Sequence, residues 1–333
     1  MLSKLFVLAF IGFSVCHLID EYNQMLDYSD DWELWKTTFN RDYESFDEEF
    51  MKFLTFVENR ITIDKHNSEN HSYQLAMNHF GDLHPDEFWH LYVGESFIKS
   101  NDDFCTLYEF KNVSVPSSFD WRDHNVVGPV LNQGQCGSCY AFSGVQAINS
   151  AVSKKTNTSV SLSEQEIVSC SFDEGNQGCN GGEMTAVFEY ANLNKGLCLD
   201  SEIPYEGQDE SCQPCKNRNG FVKSCFNVPP NNELALKEAL YLNSPISVAI
   251  EADKFVFQFY KSGVITGDKC GTSLDHGVLL VGYGTEKGKD YWIVKNSWSE
   301  TWGDDGYVLL GKSDSVNDPG VCGIAMDPSF PIV

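Results

Sequence analysis

Cys139 stands between a glycine-containing turn and an apolar, helix-forming run. The stretch reads Gln133-Gly134-Gln135-Cys136-Gly137-Ser138-Cys139, and residues 140–152 continue it with helical character. A thiol at a helix N-terminus feels the positive end of the macrodipole, which lowers its pKa and favours the nucleophilic thiolate. Far downstream, His276 opens the strand-like run Gly277-Val278-Leu279-Leu280-Val281, and Asn296 lies in Val294-Lys295-Asn296-Ser297-Trp298. The histidine follows the cysteine by 137 residues and the asparagine by 157. Nucleophilic catalysis by a thiol needs the nucleophile, a proton carrier, and donors for the negative charge that develops. Taken singly, each residue has a bland alternative: a buried cysteine, a satisfied histidine, a loop asparagine. Their order and local sequences together favour the chemical reading.

That order and spacing resemble the Cys-His-Asn arrangement of the papain-like cysteine proteases, with Cys136-Gly137-Ser138-Cys139-Tyr140 as the local signature. The resemblance implies that Cys139 supplies the thiolate and that His276 holds the proton as imidazolium. Asn296 would accept a hydrogen bond from the far imidazole nitrogen. Gln133, six residues before Cys139, would join the Cys139 N–H as oxyanion donor. Trp298 and Trp302 match tryptophans near the family's active site, and Trp298 would shield the Asn296–His276 bond. Gly181 and Gly182 would pair with extended substrate, since glycine lets another backbone approach closely. Glu183, Met184, Ala249, Leu274, Gly277 and Asp327 would line the pocket for P2, the second residue upstream of the cut. Met184, Ala249 and Leu274 favour an apolar or aromatic side chain there. Asp327 either meets a basic side chain at the pocket floor or is a solvated loop carboxylate. No long insertion of the dipeptidase kind separates Cys212 from Pro245, which favours an endopeptidase.

The front of the chain carries a second set of motifs. Trp32, Trp35 and Phe39 recur at helical spacing, and Glu48, Lys52, Phe56, Asn59, Ile63 and Asn67 form one stripe along a helix. These identities resemble the interspersed motif of cathepsin-L-type propeptides, with Lys52 where arginine is expected. Lysine keeps the charge but loses the bidentate fork. Ala76-x-Asn78-x-Phe80-x-Asp82 resembles the second propeptide motif. The resemblance implies an intramolecular inhibitor lying in the cleft, and a permanently attached helical interaction domain is the alternative. Protonating its carboxylates is expected to remove pairings with the catalytic domain and loosen it in acid.

Lys4 followed by the apolar run 5–15 has the polarity of a secretory signal and is too short to span a bilayer. The expected organisation is a signal peptide over 1–17, an inhibitory propeptide over 18–114 and a peptidase domain over 115–333. Residues 18–114 hold 7 basic and 21 acidic side chains, a net of −14, and residues 115–333 hold 15 and 27, a net of −12. Such a surface disfavours nucleic acid and anionic membranes as partners. The expected location is the secretory pathway, ending in a lysosome, an acidic vacuole or the extracellular space. Asn70, Asn112 and Asn157 head N-glycan acceptor patterns.

Twelve cysteines in an exported chain imply disulfides. The resemblance implies Cys136–Cys179, Cys170–Cys212 and Cys270–Cys322, with Cys198–Cys215 as a fourth bridge. Cys225 is then free or paired with Cys105. Zinc is the competing use of Cys212-x-x-Cys215, but no second ligand pair completes a site; no metal or cofactor is expected.

The expected fold is α+β, papain-like, with a helical left subdomain, a β-barrel-like right subdomain and a helical propeptide in front. Helices are expected at 163–169, begun by a Ser163/Glu166 capping box, and at 183–194. Strands are expected at 246–250, 277–283, 291–295 and 306–310. The implied partners are peptide and protein substrates, the chain's own propeptide and cystatin-like inhibitors, for a monomeric enzyme. Two other functions compete: a catalytically silent binding or storage relative, and a released propeptide that inhibits other proteases.

Overall fold

The computed structural model describes residues 28–93, 104–267 and 269–333. The expected signal peptide lies outside them. The α-helices are α1 (Ser29–Phe39), α2 (Phe46–Ser68), α3 (Pro85–Phe88), α4 (Cys139–Thr156), α5 (Glu164–Cys170), α6 (Met184–Leu193), α7 (Glu233–Leu242) and α8 (Phe255–Gln258). The strands are β1 (Tyr73–Leu75), β2 (Cys105–Leu107), β3 (Phe119–Asp120), β4 (Leu197–Cys198), β5 (Arg218–Asn219), β6 (Ser224–Asn227), β7 (Ile246–Ile250), β8 (Tyr260–Ile265), β9 (His276–Glu286), β10 (Lys289–Lys295), β11 (Tyr307–Gly311) and β12 (Ser329–Ile332). Among the described residues, no helix is long and apolar enough to cross a membrane.

The left subdomain is built on α4, whose residues 139–151 are all buried. Its small residues let neighbours come close, and α5 and α6 pack around it with the short β4–β5 pair at one side. Ser163 caps α5 by accepting the Glu166 N–H, as its position predicts. The second half of the predicted capping box is absent. The Glu166 carboxylate is buried and turns instead to Arg218, the Tyr190 hydroxyl and the Cys198 N–H. A fully buried charge is held by the strongest partners in reach, and a guanidinium outcompetes one backbone N–H.

The right subdomain is one sheet of order β1-β8-β11-β10-β9-β7-β12-β6-β2, with β3 added on β9. Residues 276–284 of β9 are buried on both faces, which is why that strand reads as a continuous apolar run. One face meets α4, where the Ser143 hydroxyl donates to the Val278 carbonyl at 2.7 Å. The other meets a core of Trp292, Trp302, Phe257 and Tyr260. This fixes the start of α4 beside the start of β9.

Both outer strands of the sheet, β1 and β2, come from the segment before residue 115. In that segment Trp32 and Trp35 of α1 stack at 5.3 Å and pack on Phe56 of α2. Phe56, Asn59 and Ile63 of the α2 stripe are buried, whereas Glu48 is exposed and accepts the Glu44 N–H near the helix start. Asn59 donates to the carbonyls of Gly81 and Leu83, and Asn67 exchanges two hydrogen bonds with the backbone of Leu75. Those amides hold β1 and the 78–83 turn against α2. Gly81 is required there, since a Cβ would come 2.8 Å from the Trp35 indole nitrogen. Lys52 touches Glu87 through one oxygen at 2.7 Å, the single-point pairing expected of lysine.

Five disulfides staple the chain: Cys105–Cys225, Cys136–Cys179, Cys170–Cys212, Cys198–Cys215 and Cys270–Cys322. Cys212 and Cys215 thus each have a partner, and the choice left open for Cys225 falls on Cys105. Cys139 is the free cysteine among the described residues.

Candidate active site

Cys139 is the first residue of α4, and its side chain is buried with 4% of its surface exposed. Gly277 sits directly on it. A Cβ at Gly277 would come 3.3 Å from the Cys139 carbonyl oxygen and 3.2 Å from Met184 Sδ. The residue before Gly277 is His276, so the close glycine contact brings the start of β9 against the start of α4. The His276 Nε2–H donates to Asn296 Oδ1 at 2.7 Å. The same oxygen accepts the Ser297 N–H at 2.8 Å, which identifies that end of the amide as the acceptor. His276 is therefore held with Nδ1 as its basic nitrogen, and Nδ1 is buried without a hydrogen-bond partner.

Trp298 covers this pair. Its ring stacks on His276 at 4.5 Å and 28°. Phe80 and Phe88 of the front segment then press edge-on against Trp298 at 5.5 and 5.2 Å. Trp302 meets Trp298 at 5.3 Å and donates its indole N–H to the Phe257 carbonyl.

Burial sets the protonation states. It pushes the Cys139 thiol up to about 11, with Asp275 adding to the rise. The N–H groups of Gly277, Tyr140 and Cys139 itself act in the opposite direction and lose. Burial also lowers His276 to about 4, against the favourable Asn296 bond. Between those values thiol and imidazole are both neutral while the front segment is docked. Burial likewise raises Asp275 to about 7, although its carboxylate accepts the Ala252 N–H at 2.7 Å.

Gln133 is fully buried. Its amide donates to the carbonyls of Cys136 and Tyr92, each at 3.0 Å, and its oxygen accepts the Ser297 hydroxyl at 2.6 Å. Tyr92 belongs to the π-helical turn Trp89–Val93 of the front segment. Both amide hydrogens of Gln133 are therefore in use. Neither Ser297 nor the Tyr92 carbonyl was marked out by the sequence. Ser297 is adjacent to Asn296, but a backbone carbonyl 41 residues from its partner leaves no trace in residue identity.

The residues expected around a substrate divide into groups. Gly181 and Gly182 follow the Cys179 turn; a Cβ at Gly182 would strike Tyr140 at 2.8 Å. Glu183 is buried at the start of α6, and its N–H donates to Asn176. Met184, Gly277 and Ala249 are neighbours, because Ala249 lies opposite Gly277 in the β7–β9 register. Leu274 lies against Gly323, which also meets Met326. Asp327 is the partly buried residue that follows, on the way into β12.

A thiol at a helix start, an anchored imidazole with one free basic nitrogen, and a buried amide donor are the parts of a cysteine peptidase. A family model described as papain family cysteine protease matches residues 115–332. The chain belongs to that family. The cathepsin propeptide inhibitor domain model matches residues 32–88 of the same protease. It is 41% identical over 303 residues to the senescence-specific cysteine protease SAG39 of Oryza sativa subsp. japonica, covering 90% of this chain and 88% of the relative. It is also 41% identical over 306 residues to cathepsin S of Bos taurus, covering 90% and 91%. Among solved structures, procathepsin L 3 of the Tenebrio molitor larval midgut superposes with a TM-score of 0.84 at 34% identity, covering 92% of this chain and 99% of the other. The protease is thus a cysteine endopeptidase made with an inhibitory propeptide and held by disulfides.

Proposed function

We propose that Cys139 is the nucleophile of this endopeptidase and that His276 is its proton carrier. The observation that carries the reading is the His276–Asn296 bond, which leaves Nδ1 as the basic nitrogen of a histidine whose strand starts against α4. Once the propeptide leaves, water returns and the charged forms of both groups become cheaper. The thiol proton then passes to Nδ1, giving a thiolate and an imidazolium. The thiolate attacks the scissile carbonyl, and the oxyanion takes hydrogen bonds from Gln133 Nε2 and the Cys139 N–H. His276 returns its proton to the departing amine, and an acyl-enzyme remains. Water, deprotonated by the neutral imidazole, releases the acid and restores the thiol. In the zymogen the Tyr92 carbonyl already holds the Gln133 donor, so this part of the oxyanion site is closed as well.

On this reading the peptidase domain runs over 115–333 behind a front segment 18–114, which contains the inhibitory portion matched at 32–88, and an export signal 1–17. The acidic surface and five disulfides suit an oxidising route to a lysosome, an acidic vacuole or the cell exterior. The active form works as a monomer on protein and peptide substrates and is open to cystatin-like inhibitors of the same cleft.

Thiol labelling tests the assignment. Iodoacetamide should leave Cys139 unmodified in the zymogen at pH 7 and alkylate it within minutes after acid activation, with activity lost in step. Equal labelling before and after activation, or full activity after alkylation, would reject the nucleophile.

Met184, Ala249 and Leu274 support an apolar or aromatic preference at P2, with Asp327 beside Leu274's turn as the acidic option. Dipeptide reporters with phenylalanine at P2 should be cleaved roughly 10-fold better than those with arginine. The residual cleavage of the arginine reporter above pH 6 should vanish in Asp327→Ala. An arginine reporter that is untouched even in the parent removes Asp327 from the pocket.

A further inference from the structure

The Cys105–Cys225 disulfide joins the segment before residue 115 to the catalytic domain across 120 residues. Its existence constrains activation by topology alone. A single cut near Val115 would leave the whole segment before it covalently attached through Cys105. A tethered inhibitor acts at an effective concentration in the millimolar range, so such a cut would not free the cleft.

The surroundings of the bridge show where the segment belongs. Strand β2 pairs in parallel with β6 in the register Cys105–Cys225, Thr106–Phe226 and Leu107–Asn227. The Tyr108 N–H continues the ladder to the Asn227 carbonyl at 2.8 Å. Its ring meets Phe330 of β12 at 5.7 Å, and Phe110 packs on the same core. Glu238 of α7 is 1% exposed, and its carboxylate is satisfied from this segment. It accepts the Tyr108 hydroxyl at 3.0 Å, the Lys111 N–H at 2.9 Å and the Val113 N–H at 2.7 Å. Removing residues 104–114 would strip three donors from a buried carboxylate, open β6 as a sheet edge and uncover Phe226 and Phe330. Strand β1 at the opposite edge is different: three residues pair with β8 through a bulge, and no disulfide holds them. Residues 89–114 fall between the propeptide match and the protease match, so neither family model assigns 104–114 to a part.

We propose that residues 104–114 are a permanent part of the active protease, and that the activating cut falls N-terminal to Cys105. The inhibitory portion around 28–93 departs, while β2 stays as a disulfide-held edge strand. The proposal deepens the zymogen reading and rests on it for the word activating, but retention itself can be measured without activity. The zymogen would be trimmed at acid pH without reductant in two ways: the parent by itself, and Cys139→Ala by added pepsin. Intact mass and N-terminal sequence of each core are then read before and after reduction.

The expected core carries Cys105 bonded to Cys225, either as one chain starting before Cys105 or with a short peptide that leaves only on reduction. In the double variant Cys105→Ser/Cys225→Ser, loss of residues 104–114 should be at least tenfold faster. A pepsin-trimmed core lacking Cys105, or no stable core, overturns the proposal. A parent that shows no peptidase activity while its pepsin-trimmed counterpart retains Cys105 counts against the protease chemistry and supports retention.

Discussion

Replacing His276 by alanine should cost the activated protease about 10⁴-fold in kcat/KM, with the folded zymogen intact. The imidazole has two duties on the proposed path. It takes the Cys139 proton on Nδ1 to form the thiolate, and it later hands that proton to the leaving amine. Neither duty passes to Asn296, because a carboxamide is too weak a base to take the thiol proton. What survives the substitution is the Gln133 and backbone contribution to the oxyanion, which does not depend on the histidine. Asn296→Ala should be milder, about 10- to 100-fold, because it frees the ring's orientation and keeps its basicity. Peptide-reporter kinetics on the two variants would decide. A His276→Ala enzyme within tenfold of the parent, at equal zymogen Tm, sinks the mechanism.

The legible part of the site was its order along the chain. Cys139, His276 and Asn296 stand in local sequences that state their element, a helix start, a strand start and a strand end, and each element begins within a residue or two of its expected place. Their protonation was not legible. A helix N-terminus stabilises a thiolate by ~0.3–1 kcal/mol, up to ~2 in favourable geometry. Burial moves the thiol from its ordinary 9.0 to about 11, a bias of about 3 kcal/mol the other way. Desolvation therefore wins while Phe80 and Phe88 sit on Trp298, and the dipole matters only after they leave. Pairings that join distant segments were hidden for a related reason. The Tyr92 carbonyl on Gln133, the Arg218 guanidinium on Glu166 and the choice of Cys105 for Cys225 are settled by packing, which residue identity does not record.

Histidines join the carboxylates in the expected acid trigger. Asp82, Glu87, Glu49 and Asp64 pair with Arg41, Lys52, Lys36 and Arg60, all within the propeptide, so protonating them acts on the propeptide's own fold. His79 faces the catalytic domain. Its Nδ1 meets the Thr301 hydroxyl at 3.1 Å, and its Nε2 is buried without a partner. Burial, helped by the nearby Arg41 guanidinium, lowers its pKa from 6.5 to about 4. Burial and the stacked His71 lower His66 in the same direction, beside the docking strand β1. A group depressed in the docked state favours docking above its free value of 6.5 and withdraws that support as the pH falls towards 4. At pH 4.5 the released propeptide gains about 2–3 kcal/mol from His79 alone, roughly 50- to 100-fold in the ratio of released to docked. His79→Gln keeps a polar contact for Thr301 and has no proton to gain. Its zymogen should be as inhibited as the parent at pH 7, yet process itself about 50-fold more slowly at pH 4.5. Its half-processing pH should move below the histidine range towards that of the carboxylates. An unchanged pH profile in that variant would take the trigger away from His79.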